Sequence, residues 1–143
     1  MIIITDFKLD NYVIPNFRYR ELCCKECLKE GLLYFIQDDK FLSTLNRFRL
    51  YLNSPMIVTS GTRCEKHNPL YSLYHHSYHA AGQALDFYTP NVPHLTTFNT
   101  LIRCDKFNGI GIYPQQSTPF FHVDIRAEKY YWLRWDNKDI PLF

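Results

Sequence analysis

The sequence lacks an excess of charge of either sign, a long apolar run and any repeated unit. Its 143 residues carry 16 Lys plus Arg against 14 Asp plus Glu, a formal net charge of only +2. A nucleic-acid-binding domain usually presents a basic field, and this balance gives no support for one. No apolar stretch approaches the roughly 20 residues that a membrane span requires. Met1-Ile2-Ile3-Ile4 gives way at once to Thr5-Asp6, with no basic start and no long apolar segment. That is not a secretory signal peptide, so synthesis in the cytosol is expected. No Gly/Ser linker or low-complexity tract divides the chain, and residues 1–143 are read as one domain. Disorder is excluded by 46% hydrophobic and 21% charged residues, an ordinary globular balance. Aromatics are plentiful, with 11 Tyr and 11 Phe, but such rings serve cores and ligand grooves alike.

The first 30 or so residues show no clear period and hold three of the five cysteines. From Asp38 onward the pattern sharpens. Phe41, Leu45, Phe48 and Leu52 recur at helical spacing, Asp38 or Asp39 can cap the start, and Asn53-Ser54-Pro55 ends the run. Met56 to Thr59 reads as a short buried strand, followed by a polar loop from Ser60 to Tyr78. Ala84 to Phe87 reads as a second strand. Pro93 opens a helix through Cys104 with Leu95, Phe98, Leu101 and Ile102 facing inward, and His94 exposed in its first turn. Gly109 to Tyr113 and Phe120 to Arg126 read as two more strands, parted by a turn at Pro114. Helices leading into a small, mostly antiparallel sheet define an α+β fold.

The polar residues of interest lie on or beside these strands. His79 stands seven residues before Asp86, with Gly82 between them to let the chain turn sharply. In the last strand, alternation puts Phe121, Val123 and Ile125 on one face and His122, Asp124 and Arg126 on the other. Two imidazoles and a carboxylate suit Zn²⁺ and leave a fourth position for water. A bland alternative stands beside this reading, because a lone strand His is commonly a surface or internally satisfied residue. The Ser77-x-His79-x-x-Gly82-x-Ala84-x-Asp86 context, the His122-Val123-Asp124 strand and Ser60-Gly61-Thr62-Arg63 upstream favour the metal.

Together, Thr59 to Cys64, Ser77 to Asp86, Gly109 to Tyr113 and Phe121 to Arg126 resemble the zinc D-alanyl-D-alanine carboxypeptidase family. That family includes D-Ala-D-Ala dipeptidases and phage L-alanyl-D-glutamate endopeptidases, and it shares its fold with the Hedgehog signalling domain. The resemblance covers about residues 5 to 135. It implies zinc held by His79, Asp86 and His122, with Arg63 binding a substrate carbonyl or carboxylate and stabilising the oxyanion. Ser77 is placed with Arg63 at the substrate. The implied substrates are peptidoglycan stem peptides or D-Ala-D-Ala-type peptides, met by a phage-encoded enzyme released to the wall, in the manner of an endolysin. Family members carry Glu or Asp three residues before the last ligand, or His two before. Here those positions are Pro119 and Phe120. Asp124 is then either the general base or a partner that orients a ligand His or pairs with Arg126. Two other functions stay open: a cytosolic D-Ala-D-Ala-type dipeptidase, and a non-catalytic zinc-stabilised binding module.

Cys23, Cys24, Cys27, Cys64 and Cys104 are odd in number and make no simple disulfide framework. Cys24-x-x-Cys27 and Cys64-x-x-His67 could join in a second, structural zinc site that pins the N-terminal segment to the Arg63 loop. Reduced, partly buried thiols are the alternative, and Cys104 reads as core. His75 and His76 are expected to line or cover the cleft. Tyr130, Tyr131, Trp132 and Trp135 form an aromatic cluster suited either to core packing or to one wall of a substrate groove.

Overall fold

The computed structural model describes residues 1–70 and 77–142. His75 and His76 lie outside the described residues. A six-stranded sheet is built from β5 (Ile57–Ser60), β6 (Ala84–Tyr88), β7 (Gly109–Tyr113), β8 (Phe120–Asp124), β9 (Tyr130–Trp135) and β10 (Lys138–Pro141). The strand order is β10-β9-β7-β8-β6-β5, with β7 and β9 parallel and the other pairs antiparallel. The sheet is therefore mixed, and the fold is α+β as the sequence pattern indicates.

Two helices cover one face. In α3 (Asp39–Leu52), Phe41, Leu45 and Phe48 are buried, and Asp38 caps the start by accepting from the Phe41 N–H at 2.9 Å. Asn53, left-handed at φ 51°, ends it. In α4 (His94–Cys104), Thr97 and Leu101 are buried, while Leu95 is 70% exposed. Of the expected inward face, Leu101 is buried and Phe98 and Ile102 pack against the core, and Leu95 alone points outward. The inward stripe of α4 begins with His94, whose ring stacks on Phe121 at 4.1 Å, and with Thr97, whose hydroxyl meets that of Thr89 at 2.6 Å. Two polar residues disguised in an apolar stripe explain why hydrophobicity alone chose Leu95, and why His94 is half-buried rather than exposed.

Against these helices lie Leu85, Phe87, Ile110, Phe121 and Val123, all essentially inaccessible. Phe48 sits among Phe87 and Phe107, ring centres 6.1 and 5.7 Å away. Phe48→Ala is expected to cost about 3–5 kcal/mol, through lost transfer energy and the cavity left behind, measured by urea unfolding. Strand β5 departs from expectation. It is an edge strand, so Val58 is buried while Ile57 is 40% exposed.

The N-terminal third is built from short pieces that carry no readable period. They are β1 (Ile2–Ile4), β2 (Tyr12–Ile14), β3 (Phe17–Arg18), α1 (Tyr19–Leu22), α2 (Lys25–Lys29) and β4 (Phe35–Gln37). Strands β1 and β4 pair with each other, as do β2 and β3. This segment packs against the residues after β5: the Thr62 N–H donates to Leu22 O at 2.8 Å, and the Ile36 N–H to Thr62 Oγ1 at 3.2 Å. Among the described residues, no helix is long and apolar enough to cross a membrane.

Candidate metal centre

The face of the sheet opposite the helices carries the polar residues, and strand register places them in one row. Ser60 pairs with Asp86, Asp86 with His122, His122 with Gly111, and Gly111 with Trp132. His79 reaches the same point from the loop before β6. That loop turns at Gly82, φ 71°, where an added Cβ would strike the Ile36 side chain. Gln83 then ties the turn to the α3 cap, donating to Asp38 Oδ2 at 3.0 Å.

His79, Asp86 and His122 offer ligand atoms that all lie within 4.8 Å of one another. His79 Nε2 is 3.2 Å and His122 Nδ1 2.9 Å from the same oxygen, Asp86 Oδ1. Each ring is held from behind. The Gly61 carbonyl lies 2.8 Å from His79 Nδ1 and can only accept, so Nδ1 donates there and Nε2 is the nitrogen turned toward the metal point. Asp124 Oδ2 lies 2.7 Å from His122 Nε2 and fixes the proton there, turning Nδ1 inward. Histidines with one nitrogen tied to a carbonyl or carboxylate and the other aimed at a shared point are what a zinc site requires. A tetrahedral ion with ordinary Zn–N and Zn–O bonds holds its N and O ligands about 3.4 Å apart, close to the spacing found here. The residues fit the metal.

In the metal-free protein, Asp86 and the two histidines form an ion-paired cluster. Burial works to raise the Asp86 pKa, but the charge of His79 and hydrogen bonds from both histidines hold it well below the usual carboxylate range. Burial disfavours the His122 imidazolium, yet hydrogen bonds to Asp124 and Asp86 outweigh it and raise its pKa to about 9. A folded pKa above the ordinary 6.5 means stability that is complete below about pH 6.5 and lost as pH rises through about 9. Metal-free protein should therefore lose stability between pH 7 and 10, and His122→Gln should flatten that loss in urea titrations.

Asp124 does not face the metal point. It is fully buried, and it meets the outer nitrogen of His122 while Arg126 donates from Nε to Oδ1 at 2.8 Å and from Nη2 to Oδ2 at 2.6 Å. Burial pushes its pKa up, but Arg126 and His122 bring it down to about 2. Of the two roles open from sequence, orientation of His122 is the one this geometry serves; a base would need a free oxygen toward the substrate. Arg126 is itself stacked against Tyr78, Tyr130 and Trp132, its guanidinium carbon 4.9, 5.5 and 5.1 Å from their ring centres.

Arg63 borders the cluster. Its Nη2 is 4.0 Å from Asp86 Oδ2 and donates to Ser60 Oγ at 3.3 Å, while Nη1 donates to Asn68 Oδ1 at 3.4 Å. Ser77, half-buried beside Arg63's partner Asn68, makes two hydrogen bonds within the chain. Its hydroxyl donates to Asn68 Oδ1 at 2.7 Å and accepts from the Ala80 N–H at 3.1 Å. Asn68, 2% exposed, joins Arg63 to Ser77, and nothing in its polar surroundings marked it in the sequence. The aromatic cluster divides. Tyr131 enters the core, Trp135 is 47% exposed, and Trp132 stands beside the metal point with its ring centre 5.3 Å from that of His122. Trp132 Nε1 donates to Tyr113 Oη at 3.2 Å.

A His₂Asp donor set backed by outer partners and flanked by an arginine, on the sheet face opposite the helices, defines a candidate zinc-dependent hydrolase. A family model described as peptidase M15 matches residues 15–124, and the chain belongs to that family of zinc-dependent peptidases. No curated protein and no solved structure matches the chain.

Proposed function

We propose that this protein is a zinc peptidase that hydrolyses the short peptides of bacterial cell wall. The observation that carries the proposal is the convergence of His79 Nε2 and His122 Nδ1 on Asp86, with the Arg63 guanidinium alongside. His79, Asp86 and His122 would hold the ion. Bound there, zinc supplies Lewis acidity, which polarises a carbonyl and makes water acidic near neutral pH. Arg63 binds the scissile carbonyl or a terminal carboxylate of the peptide and stabilises negative charge as water adds to the carbonyl carbon. The C–N bond then breaks, and the departing amine takes the proton that the attacking water gives up. Trp132, Tyr113 and Phe120, whose ring stacks on Tyr113 at 4.6 Å, supply an aromatic flank for peptide methyl groups. Cleavage at D-Ala-D-Ala termini and endolysin-type cleavage of internal stem-peptide bonds both fit this chemistry.

One observation favours a second reading, a zinc-stabilised binding module without activity. Pro119 and Phe120 precede His122 where relatives carry a proton-transferring group, and Asp124 is occupied by His122 and Arg126. Mass spectrometry of purified peptidoglycan incubated with the zinc-loaded protein decides between them. New peptide termini identify the peptidase and its bond; bound zinc with no cleavage of wall or D-Ala-D-Ala peptides gives the module. For the peptidase, Arg63→Lys should lower kcat about 10²- to 10³-fold, the cost of losing one fixed oxyanion donor, with zinc content unchanged.

A further inference from the structure

A second group of metal-ligating side chains lies away from the sheet face. Cys24, Cys27, Cys64 and His67 come from two distant stretches of chain, and their ligand atoms all lie within 4.8 Å of one another. All four are buried, between 1% and 7% exposed. Cys64 Sγ is 3.3 Å from Cys27 Sγ and 2.9 Å from His67 Nδ1, and Cys27 Sγ is 3.5 Å from the same nitrogen. A tetrahedral zinc holds two sulfurs about 3.8 Å apart and a sulfur and nitrogen about 3.6 Å apart, so slight expansion admits the ion.

The surroundings complete the case. Glu30 Oε1 lies 2.8 Å from His67 Nε2 and directs the other nitrogen, Nδ1, into the thiols. This is the carboxylate–histidine pairing that orients a metal ligand. The Cys64 N–H points at Cys24 Sγ, 3.5 Å away, offering a proton to a sulfur that needs negative charge. Four protein donors leave no open position, which marks a structural rather than a catalytic ion. The place of the cluster gives it a consequence. Cys64 follows Arg63 directly, Cys24 and Cys27 flank the start of α2, and the stretch between β5 and Cys64 is pressed against Leu22, whose carbonyl an added Cβ on Gly61 would strike.

We propose that Cys24, Cys27, Cys64 and His67 bind a structural Zn²⁺ that fastens the Arg63 loop to the N-terminal segment, independently of the sheet-face metal. Metal analysis of the full-length protein, purified with reductant and without chelator, tests this. The expected result is two zinc ions per chain, falling to one in His122→Ala and to one in Cys64→Ser. Cobalt exchange should give an intense near-ultraviolet thiolate-to-metal band in wild type and in His122→Ala, absent from Cys64→Ser. Because His122→Ala leaves the cysteines untouched, the test stands even if Cys64→Ser fails to fold. His122→Ala protein with no zinc, no cobalt–thiolate band and five titratable thiols would overturn the proposal, as would a Cys27–Cys64 disulfide in its place. One zinc per chain, kept in His122→Ala with its thiolate band, upholds this site while removing the sheet-face ion on which the peptidase reading depends.

Discussion

His122→Ala should abolish wall-peptide cleavage and remove one zinc ion per chain while the fold survives. The metal's Lewis acidity is worth several kcal/mol of transition-state stabilisation, and each 1.36 kcal/mol is tenfold in rate, so a loss of about 10³-fold or more is expected. Survival of the fold follows from where the histidine sits. His122 is on the polar face of β8, while the strand's hold on the core comes from Phe121 and Val123 on the other face. His79→Ala should match it in activity but cost more stability, because His79 is 4% exposed and its ring bonds the Gly61 carbonyl beside the N-terminal segment. Turnover and zinc content measured on the same preparations check both. Cleavage persisting in zinc-free His122→Ala would separate the activity from this cluster altogether.

What was legible in the sequence follows the length of each element. The 14 residues of α3 span enough turns for Phe41, Leu45 and Phe48 to declare a face, and its cap and stop were correctly marked by Asp38 and Asn53. Strands β6, β7 and β8 were legible through β-branched and aromatic runs. The pieces before Asp38 run two to five residues each, too short for any period to repeat. Strands β9 and β10 were hidden because their hairpin turns at Asp136-Asn137, both at positive φ, and because the aromatic run of β9 reads as undirected packing. The site was legible through alternation in β8, which put His122, Asp124 and Arg126 on one face. Alternation does not say which ring edge each neighbour meets, so the contact of Asp124 with the outer nitrogen of His122 is seen only in the structure. Asn68 became meaningful only once the loop brought Arg63 and Ser77 to it.

The glycines of β7 explain how so crowded a row is accommodated, and they supply a sharp test of Asp124. Gly109 and Gly111 alternate with Ile110, so both face the site while the isoleucine faces the core. A Cβ at Gly109 would run into the Asp124 carboxylate, and one at Gly111 would lie 2.5 Å from the Trp132 ring. The side chains missing from β7 are the space in which Asp124 and Trp132 hold His122. Asp124→Asn should therefore weaken zinc binding at the sheet face 10- to 100-fold, the usual cost of losing an outer partner of a ligating histidine. It should also destabilise the fold by a few kcal/mol, up to about 3–5 kcal/mol, because it breaks a buried charge pair and leaves Arg126 without its anion. Gly109→Ala keeps the carboxylate but displaces it, and it should reproduce the fall in zinc affinity. A general base at Asp124 makes the opposite forecast: Asp124→Asn would bind zinc as tightly as wild type, with kcat collapsed and the acidic limb of its pH profile gone. Competition against a chelator of known affinity, run beside kcat at several pH values, separates the two. Joint loss of affinity in Asp124→Asn and Gly109→Ala identifies Asp124 as the residue that aims His122.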